Sequence, residues 1–361
     1  MNGCHRILSV VLAFSLVLGG MPSLETALLP APTPGMAAED QNPVKFDPTT
    51  RQAIDRGLAW LISTIRRDGT VGTDAHQPPD LGCTAMVGLA LLAEGSTPRG
   101  GRYSRESTQV LYGVLELVGL RPLKSNPYTE ITLVQRKIGL NADLFLATLY
   151  LSEVYYEAPG AEVEIQAALK RLIQHISQTQ GKDGTWGSES WAPILGTVMG
   201  WECLRSASSA GFEIDASAKM VGQALMNNLK KHSADEQNWM HEFYKDASSL
   251  RVLYSLNYRD DPLFKECVDR LLARVKGDQR PFQLAGGEEY LSFFLVTECL
   301  LKEDRPDWQA WYPRVRDELV VLQNRDGSWT GHHCITNRTF CTSAALLTLL
   351  APNLTLSMSD L

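Results

Sequence analysis

Reactive side chains stand just before several strongly apolar stretches of the sequence. Carboxyl and imidazole groups are the usual general acids and bases, so these residues could move protons. The candidates for such chemistry are Asp80, Asp143, His241, Asp246 and Arg338. Each acidic residue also has a structural explanation, because carboxylates are favoured at helix N-termini as caps and dipole partners.

A second group of residues offers the sulfur and nitrogen atoms that bind Zn²⁺. Its members are Cys83, His332, His333, Cys334 and Cys341. Three interpretations of these cysteines stay open: a zinc site, a disulfide from Cys341 to Cys83 or Cys334, and buried free thiols. Glu288 and Glu289 follow two glycines, a pattern that favours an exposed acidic loop over close approach to a ligand.

The apolar stretches recur along the chain and predict the elements that hold these side chains. Copies begin at residues 84, 146, 197, 249, 293 and 342. A helix that is apolar all round must be buried all round, so the copies predict an inner layer of helices with polar helices outside. The spacing suits one helical hairpin for each repeat, and the apolar last copy favours a closed ring over a capped solenoid. We therefore expect an all-α protein, an (α/α)6 barrel of about six hairpins.

Two further motifs share one spacing, with an aspartate before the glycine each time. Their members are Gln180, Gly184 and Trp186 in one copy and Gln323, Gly327 and Trp329 in the other. The Asp-Gly pair predicts a tight turn after a helix. The indole can donate to a backbone carbonyl and the amide can bridge helix ends, so the motifs are interpreted as structural.

These motifs resemble the QW repeats of the squalene cyclase and protein prenyltransferase superfamily, from about residue 50 to the end. The resemblance implies an α/α toroid with an apolar cavity, an isoprenoid-like ligand, and either acid-initiated cyclisation or zinc-assisted prenyl transfer. It also implies a zinc site built from an Asp, a Cys and a His at inner-helix starts. The sequence lacks the D-x-D-D acid, and Asp80 and Cys83 are three apart where the family has D-x-C.

The N-terminal residues predict export. His5 and Arg6 precede an apolar run over 7–18 and then Gly19, the order of a secretory signal. We expect residues 1–38 to be a signal and linker, residues 47–361 to form one toroid domain, and membrane contact only if the signal stays uncleaved. The net charge of -7 disfavours nucleic acid.

In a closed ring the segments before the inner helices surround one opening, the mouth. We therefore expect a small apolar, lipid-like or oligosaccharide ligand to bind in the central cavity. The alternative is a cavity enzyme, either a zinc-assisted transferase or hydrolase or a polysaccharide lyase-like enzyme, that uses mouth residues. A complement-type thioester is disfavoured, because the sequence has no C-G-E-Q run.

Overall fold

The computed structural model of the chain describes residues 46–120, 131–214, 239–277, 279–301 and 306–353, with side chains from residue 243 onward in the third range. These residues form helices and turns and no β-strand. In chain order the helices are α1 (Pro48–Thr64), α2 (Leu81–Glu94), α3 (Ser104–Leu120), α4 (Leu133–Ile138), α5 (Ala142–Val154), α6 (Glu162–Gln178), α7 (Pro193–Ser209), α8 (Trp239–Ser255), α9 (Pro262–Val275), α10 (Arg280–Gln283), α11 (Gly287–Leu301), α12 (Pro306–Leu322) and α13 (Arg338–Leu350).

Six of these helices form a closed inner ring, which confirms the predicted toroid. Helix α2 packs on α5, α5 on α7, α7 on α8, α8 on α11, α11 on α13, and α13 on α2 again. Neighbours run in the same direction, since the Cβ position of Gly82 lies 3.5 Å from the Asp143 Cα and Gly88 contacts the Tyr150 ring. All six therefore begin at one end of the ring. Helices α1, α3, α6, α9 and α12 lie outside it.

The inner helices are buried along nearly their whole length, as their uniform apolar character requires. Their threonines and serines fit this environment because the hydroxyls donate to carbonyls one turn back. Thr148 donates to Leu144 O at 2.8 Å, and Thr297 donates to Phe293 O at 2.6 Å. These two buried hydroxyls are thus paired inside their own helices. None of the described helices is long and apolar enough to cross a membrane.

The QW motifs join an outer helix to the next inner helix. The Trp186 indole donates to Ile176 O in α6 at 2.9 Å, and the Trp329 indole donates to Leu319 O in α12 at 2.7 Å. The backbone N–H of each tryptophan donates to a threonine hydroxyl of the next inner helix, Thr197 at 3.1 Å and Thr342 at 2.9 Å. This contact explains why the clearest apolar repeats share a leading threonine.

The glutamines of the motifs also contact helix ends. The Gln323 amide donates to Gly327 O in its own turn and to Ala53 O in α1, both at 2.8 Å. Because Ala53 lies in the first outer helix and Gln323 directly follows the last, this bond closes the outer layer. The Gln180 amide donates to Gly184 O in its own turn at 2.9 Å.

The middle of the ring axis is nearly full, which differs from the apolar or partly apolar cavity that the resemblance implies. Among the described residues the space there is about 10 Å³, enough for about one water molecule. It is lined by Met86, Leu89, Leu146, Leu149, Met199, Glu202, Leu291, Phe294, Leu295 and Leu347. Long side chains from the inner helices meet on the axis and fill it.

A buried ion network joins three inner helices. The Arg251 guanidinium of α8 lies 2.9 Å from a Glu202 carboxylate oxygen of α7 and 3.3 Å from one of Glu298 in α11. Glu202 also accepts a bond from the Ser255 hydroxyl at 2.6 Å and contacts Arg205 at 2.8 Å. Arg251 and the two glutamates are at least 98% buried. Each charge is therefore compensated within the apolar ring.

Candidate functional site

A buried ion pair crosses the mouth of the ring. Lys137 lies in α4, directly before α5, and Glu288 lies in the first turn of α11, on the opposite side of the ring. The Lys137 Nζ is 3.0 Å from Glu288 Oε1, and both side chains are at least 99% buried. The mouth is therefore spanned by polar side chains, above the apolar middle of the axis.

Four more side chains surround this pair. The His333 Nδ1 is 3.4 Å from Glu288 Oε1, and its Nε2 is 3.4 Å from Glu289 Oε2. The Lys137 ammonium donates to Cys334 Sγ at 3.6 Å and lies 4.8 Å from the centre of the Tyr244 ring, a cation–π contact. We call the six residues, Lys137, Tyr244, Glu288, Glu289, His333 and Cys334, the mouth cluster.

The local sequence explains how these side chains meet. Thr132 and Gln135 form a capping box that starts α4 and so fixes Lys137 two residues further on. Gly286 and Gly287 let the loop over 332–335 lie against the start of α11, where a Cβ on Gly286 would be 2.5 Å from His333 O. His332 N donates to Ala285 O at 2.7 Å, and Gly287 N donates to Ile335 O at 2.8 Å.

The expectation of an exposed acidic loop at Glu288 and Glu289 is therefore wrong. Both glutamates are helical and buried, with 0% and 1% of their surface exposed. The two glycines do permit a close backbone approach, as their residue type suggests, but the approaching backbone is that of the His333 loop. No local sequence pattern distinguishes an exposed acidic loop from a buried helix start here, because burial depends on a contact between distant parts of the chain.

Burial gives the groups of the cluster different protonation states. Burial and the neighbouring Glu288 raise the pKa of Glu289 well above its usual range, so this carboxyl can donate a proton. Burial lowers the pKa of His333, which favours the neutral imidazole. Burial and Glu288 raise the pKa of the Cys334 thiol to about 11. Burial opposes the charge of Lys137, but Glu288 outweighs it and raises the pKa of this ammonium group.

Three polar atoms of the cluster make no hydrogen bond among the described residues. They are Glu288 Oε1, Glu289 Oε1 and His333 Nε2, of which the first and the last lie in ion-pair contacts. An unpaired buried polar atom costs about 1–3 kcal/mol, so each of these atoms calls for a partner such as a water molecule, an ion or a ligand. Cys334 adds a second irregularity, because its φ of 48° is in the left-handed region that a residue with a side chain rarely adopts. Such strain is typical of binding and catalytic sites.

The metal candidates separate into two groups. His333 and Cys334 join Glu288, and one donor atom from each lies within 4.8 Å of the others. His332 is exposed, whereas Cys83 and Cys341 are fully buried. All six cysteines of the described chain are free thiols. Burial raises the pKa of Cys83 and Cys341 well above the usual range, and this disfavours reactivity.

The catalytic candidates do not form one centre. Asp80 caps α2, because its carboxylate accepts a hydrogen bond from Cys83 N at 2.7 Å. It lies near Asp143. Burial raises the pKa of Asp80, and the charge of Asp143 raises it further. Asp246 is paired with Arg270 at 3.0 Å on α9. Arg338 packs on the Trp60 ring and binds Asp326 and Ser328 in the last QW turn. The side chain of His241 lies outside the described residues.

Comparison with known proteins identifies the fold alone. No family profile matches the chain, and no curated protein matches it. An alpha-1,6-mannanase from Salegentibacter matches with a TM-score of 0.54 and 10% identity over 84% of this chain and 98% of that one. An inactive variant of that mannanase in complex with alpha-1,6-mannotriose gives a TM-score of 0.53, again at 10% identity over 84% and 98%.

A type II terpene cyclase from Scytonema gives a TM-score of 0.48 and 15% identity over 85% of this chain and 99% of the cyclase chain. The chain thus has an α/α toroid fold, as its repeats indicate. At these identities the comparisons say nothing about its chemistry.

Proposed function

We propose that this toroid binds an extended, hydroxyl-rich ligand of the oligosaccharide class at its mouth. The observation that carries the proposal is the mouth cluster, which is buried, polar and incompletely hydrogen-bonded among the described residues. A ligand pocket typically combines aromatic surface with a few converging polar groups. The mouth offers both.

The polarity of the cluster favours hydroxyl groups over an isoprenoid chain. A hydroxyl both donates and accepts, so it can pair with the Lys137 ammonium, the Glu289 carboxyl and the His333 imidazole. A hydrocarbon would leave these groups buried without new partners, at a cost of about 1–3 kcal/mol each. The narrow apolar space on the axis also leaves little room for a lipid-like ligand.

An aromatic platform lies beside the cluster. The side chain of Trp191 is 53% exposed, although large apolar side chains are usually buried. Its carbonyl accepts from the Tyr244 hydroxyl at 3.3 Å, and the next residue, Ala192, donates from its N–H to Lys137 O at 2.8 Å. The flat indole is suited to packing against the apolar face of a sugar ring. The related fold of the mannanase, which was studied with mannotriose, is compatible with this ligand class.

Binding of short oligosaccharides, measured by calorimetry, tests the proposal. We expect at least one member of a panel of mannose, glucose and uronic acid oligomers to bind, and Trp191→Ala to weaken that binding about tenfold or more, a loss of at least about 1.4 kcal/mol. Tyr112→Ala is the matched control, because Tyr112 is 51% exposed on outer helix α3. Binding of farnesol, but of no saccharide, to the wild type would contradict the proposal.

A cavity enzyme is the second candidate, and the raised pKa of Glu289 favours it. A carboxyl whose pKa is raised by burial can act as a general acid. The same incubations, analysed for shortened or unsaturated saccharides, test this role. We expect Glu289→Gln to abolish any turnover while binding persists; unchanged turnover would exclude Glu289 as the acid.

We further propose that the protein is exported, on the basis of the signal pattern over residues 1–38. We expect the exported chain to begin before the first described helix, α1, and to have lost the apolar run over 7–18. Mass spectrometry of the chain recovered from the producing cells measures this directly. An exported chain that still begins at Met1 would point to an uncleaved anchor instead.

A further inference from the structure

We infer that the mouth cluster holds a divalent metal ion, Zn²⁺ by the chemistry of its donors, bound by Glu288, His333 and Cys334. The inference deepens the function proposed above, because the ion would lie in the same cluster that receives the ligand. It differs from the site that the family resemblance implies, since Asp80, Cys83 and Cys341 are not among the ligands.

The donor set fits zinc. It supplies one sulfur, one imidazole nitrogen and one carboxylate oxygen, the three donor types that Zn²⁺ accepts in proteins. Three protein ligands leave a fourth position for water or a ligand hydroxyl, as catalytic and binding sites of zinc do. Mg²⁺ and Ca²⁺ are disfavoured because they require oxygen donors almost exclusively.

The geometry is close to that of a bound ion. The three donor atoms lie within 4.8 Å of one another. Zinc bonds of about 2.0–2.3 Å in a tetrahedral site hold the ligand atoms about 3.3–3.8 Å apart. A contraction of about 1 Å, within the reach of small side-chain rotations, would therefore complete the coordination.

The backbone at Cys334 supports the same conclusion. Its left-handed φ of 48° directs two consecutive residues, His333 and Cys334, toward one glutamate. A non-glycine residue in this region costs about 1–3 kcal/mol, and such strain persists where function requires it. Packing does not explain it, because Cys334 is only half-buried.

The charges of the cluster also accommodate a dication. Glu288 and Glu289 are both buried, and Lys137 is the one cation in contact with the pair among the described residues. Glu289 Oε1 has no hydrogen-bond partner there. A dication held by one thiolate and the Glu288 carboxylate is locally neutral, and it would also offset the repulsion between the two adjacent buried carboxyl groups.

Metal content tests the inference without any saccharide. The full chain, purified without chelators, is expected to contain about one Zn²⁺, measured by plasma mass spectrometry. Exchange of the zinc for Co²⁺ should produce the absorption of a cobalt–thiolate bond. Cys334→Ser should abolish this absorption, and Glu288→Gln and His333→Ala should weaken Co²⁺ binding about tenfold or more. Circular dichroism of each variant identifies any that fail to fold.

Matched controls come from the other predicted ligands. Cys83→Ala, Cys341→Ala and His332→Ala should each keep the metal and the cobalt–thiolate absorption. Loss of the absorption in Cys83→Ala or Cys341→Ala, with Cys334→Ser unaffected, would overturn the inference. A folded wild type that binds neither metal would also overturn it. Saccharide binding by that metal-free protein would still support the proposed function, so the two failures are distinguishable.

Discussion

Replacing Arg251 by leucine is expected to lower the free energy of unfolding by about 3–5 kcal/mol. Arg251 is fully buried and lies between Glu202 and Glu298, at 2.9 and 3.3 Å. Removing its charge would leave two carboxylates with less compensation inside the apolar ring. Breaking a buried pair by removing one partner is costly for this reason. Urea unfolding, followed by circular dichroism, measures the change.

Two control variants make this result specific. Lys265→Leu removes an exposed cation that lies 2.8 Å from Asp269, and its unfolding midpoint should match the wild type, because exposed ion pairs contribute little. Arg251→Lys keeps the charge but loses the planar fork, so its stability should lie between those of the wild type and Arg251→Leu. An Arg251→Leu midpoint equal to that of Lys265→Leu would show that the network does not stabilise the ring.

Acid should destabilise the protein through the same network. Burial alone would raise the pKa of Glu202, but Arg205 and Arg251 outweigh it and lower this pKa from 4.5 to about 2. Because the folded state favours the ionised carboxylate, its contribution is present above about pH 4.5 and is lost as the pH falls toward 2. The pKa difference corresponds to about 3 kcal/mol.

Unfolding free energies measured at several pH values between neutral and acid test this sign. The wild type should lose stability steeply below about pH 4.5. Glu202→Gln cannot titrate, so it should be less stable at neutral pH and lose less on acidification. Equal slopes for the two proteins would place the acid sensitivity elsewhere.

The sequence predicted the ring because its signals are local and repeated. A helix that is apolar on every side must be buried, and residues 84, 197 and 342 mark three such helices at their leading threonines. In the structure the hydroxyl of each of these threonines accepts a hydrogen bond from a backbone N–H of the preceding turn. The donor to Thr84 is Val71 N at 3.0 Å, and the donors to the other two threonines are the backbone N–H groups of tryptophans. Local chemistry and repetition therefore sufficed for the fold.

The mouth cluster was predicted only in part, because its contacts cross the ring. His333 and Cys334 were recognised by residue type, but Lys137 and Glu288 belong to opposite repeats and share no sequence pattern. The capping box at Thr132 and Gln135 could have placed a helix start near Lys137, yet it says nothing of that residue's burial. Which residues meet across the ring depends on how distant helices pack against one another.

The positions of Glu202 and Glu298 in the sequence could have predicted the buried ion network. Both interrupt apolar inner helices, and a buried carboxylate requires a cation. The partner of both is Arg251, on the helix between them, which a search for a basic residue in the neighbouring repeat could have found. The filling of the axis was harder to predict, because it depends on how the side chains of six helices interdigitate.

The reactivity of Cys334 tests most directly whether the mouth cluster is the binding site. Cys334 is half-buried, whereas the other five cysteines of the described chain are buried, so a thiol reagent should modify it first in protein that has been freed of metal by a chelator. If the mouth is the binding site, the oligosaccharide with the highest affinity slows this modification about tenfold or more, and Trp191→Ala reduces the protection. An unchanged rate at saturating oligosaccharide would contradict binding at the mouth.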